Sequence, residues 1–141
     1  MTKGRNDISF EDPKLSLLNF RKNIKFEGKF SGEVNIQLSM HTQLKESDND
    51  EENRYLSTLK LIIGEDSDTF PFYCEIEMSG IFTRNINSTI DEESFANFNT
   101  AAILYSYARP IVSDTVSKSG FPPYNLPFMN FSEENIEFIN D

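Results

Sequence analysis

The stretch YSYARPIVSDTVSKSGFPPYNLPFMNF, residues 105–131, carries most of the information about the fold. Its first part has the apolar spacing of a helix and ends at Gly120, a residue type that often terminates helices. The three prolines and the aromatic residues that follow predict a rigid apolar loop. Ser132, followed by two glutamates, would then cap a short second helix running to Asp141. The stretch therefore predicts a helix, a tight loop and a further helix.

The helical pattern begins upstream of this stretch and covers residues 95–117. One stripe of that helix is apolar and consists of Ala101, Leu104, Tyr107, Ala108, Ile111 and Val112. Pro110 lies within the stripe and lacks the N–H that would bond back to the previous turn. We therefore expect a kink near Ser106.

Strand patterns fill the first part of the chain. Residues 33–43, 55–63 and 70–82 alternate apolar and polar side chains and are joined by polar segments, which predicts an antiparallel meander. A further outer strand could come from DISFE at residues 7–11 or from NIKFE at residues 23–27, and the sequence leaves both open. Strands followed by helices predict one α+β domain over residues 1–141.

Composition excludes several classes of protein. The net charge is −10, from 13 basic and 23 acidic residues, and nucleic-acid binding requires a basic face instead. Thirteen Phe and five Tyr are many for so small a core, so some are expected at an interface or groove. The single Cys cannot form an intramolecular disulfide. Without an apolar membrane span or signal-peptide core, the chain is expected to be cytoplasmic and not membrane-inserted.

Enzymatic chemistry has little support in the sequence. His41 is the only histidine, and no nucleophile or acid–base pair is suggested near it. The acidic segment around residues 48–52 lacks the register of a calcium loop and is more typical of a solvated turn. Neither metal-ligand spacing nor a glycine-rich phosphate loop is present. We therefore expect no enzyme, no metal and no cofactor.

Two segments resemble the SecB family of export chaperones. Residues 105–131 are similar to the end of that family, where a YAR-containing helix leads into a loop of pattern G-x-FP-x-x-NL-x-P-x-NF. Residues 74–82, CEIEMSGIF, resemble its strand ending in CE-x-x-x-x-GIF. The resemblance implies a SecB-like antiparallel four-stranded sheet with two C-terminal helices packed on one side.

The resemblance also implies a function without an active site. It implies an ATP-independent holdase that binds unfolded or precursor polypeptides, delivers them to the export translocase, and works as a homo-oligomer, either a dimer or a tetramer. One alternative is a SecB-like chaperone dedicated to a single client such as an antitoxin. Another is a non-chaperone interaction or scaffold domain with the same fold. In that case its apolar face would be fully buried by self-assembly.

Site residues follow from the resemblance. The apolar face of strand 70–82 would form the oligomer interface through Phe72, Cys74, Ile76 and Met78. The translocase motor ATPase would bind the opposite face through Asp7, Glu11, Tyr73 and Glu75. Clients would lie in grooves beside the helices, contacting Phe30, Phe82, Leu104, Tyr107, Tyr124 and Phe128. For each of these last six residues, ordinary core packing is the alternative interpretation.

Overall fold

The computed structural model describes residues 8–28, 34–67, 69–122, 124–131 and 137–140. Within these ranges the chain forms a sheet with a long helix on one face. The strands are β1 Ile8–Phe10, β2 Lys14–Lys22, β3 Ile36–Lys45, β4 Glu52–Gly64, β5 Phe72–Asn85 and β6 Glu137–Asn140. The helices are α1 Glu92–Ser94 and α2 Thr100–Lys118, joined by a π-helical turn, Phe95–Asn99.

The central strands β3, β4 and β5 form the predicted antiparallel meander. Both N-terminal strands pair with the free edge of β5, β1 opposite residues 82–84 and β2 opposite residues 72–79. Together β1 and β2 make one outer strand, interrupted at the buried Pro13. The DISFE segment therefore supplies the start of this strand, whereas residues 23–27 lie in a turn and extended segment beyond it.

Two details differ from the predicted sheet and helices, while the predicted α+β class is confirmed. Six strands, not four, form the sheet within the described ranges. Residues 137–140 form β6, parallel to β3, where a helix was predicted. A short helix is marginal in isolation, and the segment contains Phe and Ile, which favour strands. The edge of β3 offers backbone hydrogen-bond partners to residues 137–140. Pairing with β3 therefore stabilises a strand more than the capping signal at Ser132 stabilises a helix. Ser132 itself lies outside the described residues.

The core lies between the meander and α2. Along β5 the side chains alternate strictly between buried and half-buried, because successive residues of a strand point to opposite faces of the sheet. The buried set faces α2, which packs over β4 and β5. From the helix, the buried apolar contributions are Ala101, Leu104, Tyr105, Ala108, Val112 and Val116.

The helical segment has defined ends. At its start, the Asp91 side chain accepts a hydrogen bond from the backbone N–H of Ser94, which caps α1. At its end, Gly120 has φ +98°, a left-handed conformation that glycine adopts without strain. Pro110 is exposed inside α2, and the helix continues through it to Lys118. The carbonyl of Ser106, which loses its partner there, lies on the exposed side of the helix where water can hydrate it.

Candidate functional site

The helix-facing side of the outer strand is left uncovered by α2. Phe10, Leu15 and Leu18 pair with Phe82, Met78 and Ile76, so their side chains share the face on which α2 lies. These three side chains are 41%, 44% and 41% exposed, and Tyr107 on the adjacent flank of α2 is 38% exposed. We call Phe10, Leu15, Leu18 and Tyr107 the outer apolar surface.

Ring contacts hold the outer apolar surface in place. The Phe10 ring lies 5.7 Å from the ring of Phe82, which is fully buried. On its other side Phe10 meets Tyr107 edge-on at 6.3 Å. Ile103 and Ile111, one helical turn before and after Tyr107, are half-buried and pack against the core. Apolar side chains thus follow this flank of α2 for about 12 Å, at 1.5 Å per residue.

The proline-rich loop follows the other flank of α2. The Tyr105 hydroxyl donates to the carbonyl of Pro127 at 2.5 Å, and Arg109 Nε donates to the carbonyl of Leu126 at 3.1 Å. These donors lie four residues apart and so share one side of the helix. Leu126 itself is buried. The YAR segment and the loop that resembled the family motif therefore bind each other.

The residues predicted to contact clients fall into three groups. Tyr107 and Phe128 are exposed, at 38% and 88%, and Tyr124 is half-buried with its ring 6.5 Å from that of Phe72. Phe82, on β5, and Leu104, on α2, are fully buried between the sheet and the helix, which favours the alternative interpretation of ordinary core packing for both. Phe30 lies outside the described residues.

The predicted oligomer interface is also core. Phe72, Cys74, Ile76 and Met78 are 0–2% exposed within the single chain. The alternation of apolar and polar residues along strand 70–82 correctly predicted that these four side chains share one face. In the structure, α2 of the same chain covers that face, so the four side chains have no exposed area left for another subunit. Burial also raises the pKa of the Cys74 thiol to about 11.

The open face of the sheet carries mixed charge around Tyr73 and Glu75. Glu75 pairs with Lys60 at 2.9 Å, and its side chain is 17% exposed. The hydrogen bond that Lys60 donates to Glu75 raises the pKa of Lys60. The Arg21 guanidinium lies 5.2 Å from the centre of the Tyr73 ring and pairs with Asp66 at 2.9 Å. Neighbouring cations therefore offset much of the negative charge expected on this face.

The residues predicted to bind the motor ATPase are not all brought together. The backbone N–H of Glu11 donates to the carbonyl of Ile81, eight positions along β5 from Tyr73. At about 3.3 Å per residue, Glu11 lies roughly 27 Å from the Tyr73 end of the strand. Asp7 lies outside the described residues.

The sequence predicted Tyr107 as a client-contacting residue but did not predict Phe10, Leu15 and Leu18 on the outer strand. The signal was present in KLSLLNF, residues 14–20, which places Leu15 and Leu18 in a strand. It was obscured by the extra residue at a bulge between Leu15 and Leu17, which disrupts the simple alternation.

The described part of the chain offers neither a cluster of metal ligands nor a membrane-spanning helix. It contains no cluster of three or more His, Cys, Asp or Glu side chains that could hold a metal ion. None of its helices has the length and apolar character needed to cross a membrane.

Comparison with known proteins identifies the family. The family model described as "Preprotein translocase subunit SecB" matches residues 5–134, which is most of the chain. The chain belongs to the SecB family. A SecB-family relative, the protein-export protein SecB of Actinobacillus succinogenes, is 30% identical over 136 residues, covering 94% of this chain and 75% of the relative. An uncharacterized protein of Methanocaldococcus jannaschii is 29% identical over 113 residues, covering 77% and 72%.

Solved structures share the fold at low sequence identity. The Mycobacterium tuberculosis SecB-like chaperone Rv1957, in complex with a peptide from the HigA1 antitoxin, superposes with a TM-score of 0.58 at 16% identity. That match covers 87% of this chain and 91% of the other. A Streptococcus agalactiae protein of unknown function gives a TM-score of 0.58 at 17% identity, covering 86% and 97%. Both matches support the SecB-like α+β fold.

Proposed function

We propose that this SecB-family protein is an ATP-independent holdase chaperone that binds unfolded or precursor polypeptides in the cytoplasm. The observation that carries the proposal is the outer apolar surface, whose four large side chains are each 38–44% exposed. Ring contacts hold Phe10 and Tyr107 in place. Contiguous exposed apolar side chains on a soluble domain mark interaction sites. Family membership supports a chaperone without enzymatic activity.

An extended client segment would lie along α2 beside the outer strand. Its apolar side chains would pack on Phe10, Leu15 and Leu18, with Tyr107 at the helix side. Such contacts recognise apolar character instead of one sequence, which suits a chaperone with many clients. Each contact is weak, so several must act together to hold a chain.

Self-assembly would extend this surface. Within the described part of the sheet, β2 pairs with β5 alone, which leaves its other edge with free backbone groups. Unpaired edges favour strand addition from another chain. Two copies joined edge to edge would place their outer apolar surfaces side by side. We therefore propose a homo-oligomer, either a dimer or a tetramer made of two such dimers, in which one client contacts several subunits.

Delivery to the export translocase is the second part of the proposal. It is supported by family membership and by the similarity to the Actinobacillus relative, a protein-export protein. The motor ATPase would dock on the open face, where Tyr73 and Glu75 lie at one end and Glu11 at the other; Asp7 is proposed by the resemblance alone. Because Glu75 already pairs with Lys60, this docking would exchange an existing ion pair for one with the partner.

A chaperone dedicated to one client is a second candidate. It is favoured by the structural neighbour Rv1957, a SecB-like chaperone solved with an antitoxin peptide. The two candidates share the same surface and differ in client range. Affinity purification of the protein from its own cells, followed by mass spectrometry, separates them: many precursors indicate a general export chaperone, and one recurrent partner indicates a dedicated chaperone.

Aggregation of a chemically unfolded client, followed by light scattering without ATP, tests holdase activity. We expect the purified protein to suppress aggregation at near-stoichiometric ratios, with no further gain on adding ATP. No suppression at a several-fold excess would contradict the proposal. If a hydrophobic dye then also found no exposed apolar surface on the native oligomer, the scaffold alternative would be favoured.

A further inference from the structure

The strand β3 has an edge that faces away from β4, and a short C-terminal strand covers only part of it. β4 pairs antiparallel with all ten residues of β3, whereas β6 pairs in parallel with residues 39–42. Within the described residues, positions 36–38 and 43–45 therefore have no strand on that side. The backbone N–H and C=O groups along such an edge can pair with another extended chain.

The side chains of β3 show the same division. On the face that α2 covers, Met40 and Thr42 are 1% and 3% exposed, and both lie at positions paired with β6. Outside the span of β6, Leu44 is 54% exposed, while Ile36 and Leu38 are half-buried. A strand as long as β3 would cover these apolar side chains together with the free backbone groups, and both contributions would stabilise it.

Length and direction make the pairing of β6 weak. The strand has four residues, whereas β3, β4 and β5 have ten, thirteen and fourteen. Its ladder is the one parallel ladder among the described strands, and parallel pairing is slightly less stable per residue than antiparallel pairing. We therefore expect β6 to open more readily than the meander on which it lies.

We propose that β6 is a displaceable strand and that an extended segment of a non-native polypeptide takes its place on β3, in the antiparallel direction. This inference rests on the proposed holdase function and gives the bound polypeptide a second contact, at the edge of the sheet opposite the outer strand. The contact is made through backbone hydrogen bonds and so depends little on the sequence of the polypeptide. In the free protein, β6 protects the edge from indiscriminate strand pairing.

Hydrogen exchange of the full-length protein, followed by NMR, tests whether β6 opens by itself. We expect the amides of residues 137–140 to exchange at least about 100-fold faster than the slowest amides of β4, because local opening releases them while the meander stays folded. Equal protection of the two sets would mean that β6 opens only when the whole domain unfolds, which would overturn the proposal.

The direct test uses a strand-forming peptide and an analogue with a blocked backbone. The peptide has ten residues, the length of β3, and alternates valine and threonine. The analogue has the same side chains, but N-methyl groups on its central residues remove their backbone donors. By fluorescence anisotropy we expect saturable binding of the peptide and at least about tenfold weaker binding of the analogue. Equal binding of the two peptides would overturn the inference.

Hydrogen exchange of the peptide complex locates the binding. The amides of residues 137–140 should lose protection, and amides at positions 36–38 and 43–45 of β3 should gain it. A bound peptide that leaves the protection of residues 137–140 unchanged would show that β6 is not displaced and would contradict the proposal.

A reversible lock tests whether β6 has to leave. Ser39 and Glu137 are Cα partners, so cysteines at these two positions lie within the separation that a disulfide can span. The oxidised double variant, Ser39→Cys with Glu137→Cys, should bind the peptide at least about tenfold more weakly, and dithiothreitol should restore binding. Ser39→Cys alone, oxidised in the same way, is the matched control and should bind as the unmutated protein does. Equal binding by the oxidised and reduced double variant would contradict displacement.

Aggregation suppression separates this inference from the holdase proposal. Because the outer apolar surface lies at the other edge of the sheet, the oxidised double variant should still suppress aggregation, although less efficiently than its reduced form. If the peptide does not displace β6 and the unmutated protein suppresses aggregation, the inference fails and the holdase proposal stands. If the peptide displaces β6 and the protein suppresses no aggregation, strand exchange stands and the holdase proposal fails.

Discussion

Cys74 shows how its position in the sheet determines the chemistry of a single side chain. It lies on the face of β5 that α2 covers, is fully buried, and has a thiol pKa raised to about 11 by that burial. Because only the thiolate reacts with alkylating agents, the thiol should be nearly inert at neutral pH.

Native Cys74 is therefore expected to react with iodoacetamide at pH 8 at least about 100-fold more slowly than Cys74 in the urea-unfolded protein. The reason is that a thiol pKa two units above its usual value leaves about one hundredth of the thiolate. Mass spectrometry of timed samples measures the two rates. Similar rates in both states would show that the helix does not cover this face and would reopen Cys74 as an interface residue.

Glu75 illustrates how a neighbouring charge changes what a surface carboxylate can do. It is held by Lys60 at 2.9 Å, so Glu75→Lys would place two cations side by side. We expect the free energy of unfolding, from urea titration, to fall by roughly 1 kcal/mol at low salt and by less at high salt. Glu75→Gln is the control and should cost less. Identical unfolding midpoints for all three proteins would mean that the pair contributes nothing to stability.

Among the secondary-structure elements, α2 and the proline-rich loop that follows Gly120 form one unit through the contacts of Tyr105 and Arg109 with the carbonyls of Pro127 and Leu126. Tyr105→Phe keeps the buried ring but removes the donor to the Pro127 carbonyl, and should lower the free energy of unfolding by about 1 kcal/mol. Ser113→Ala removes a longer, exposed contact to Asn125 at 3.4 Å and should cost less. Urea titration of both variants compares them. If Tyr105→Phe cost no more than Ser113→Ala, the loop would not depend on this contact.

The elements that could be predicted from the sequence are those in which the apolar–polar pattern runs without interruption through the whole strand or helix. β4, β5 and α2 have a regular period of two or 3.6 residues, so their type followed directly, as did the buried faces of β4 and β5. The outer strand is broken by Pro13 and by a bulge, and β6 depends on an edge that β3 offers from about 100 positions earlier. Such long-range pairing leaves little mark on the local sequence.

The candidate site was predictable only in part for a related reason. Helical spacing placed Leu104 and Tyr107 on one apolar stripe, but it could not tell which part of that stripe the sheet covers. Leu104 proved to be core, and Tyr107 lies on the flank of α2 that borders the uncovered outer strand.

At the scale of the whole molecule, association is expected through the free edge of the outer strand. Light scattering of the unmutated protein should give at least a dimer. Leu18→Asp places a charge on an exposed side chain of this strand, so it should shift the population toward smaller species with unchanged circular dichroism. Ile76→Asp, at a fully buried position, should instead unfold the subunit. A monomeric unmutated protein at high concentration would contradict the proposed assembly.

The central claim is that the outer apolar surface holds unfolded chains, and aggregation suppression by matched variants tests it most directly. Tyr107→Ser removes an exposed ring of that surface, while Ile62→Ser removes a half-buried apolar side chain from the open face. With folding of both verified by circular dichroism, the account predicts that Tyr107→Ser needs several-fold more protein for the same suppression and that Ile62→Ser matches the unmutated protein. Full suppression by Tyr107→Ser together with loss of suppression by Ile62→Ser would place client binding on the opposite face and contradict the account.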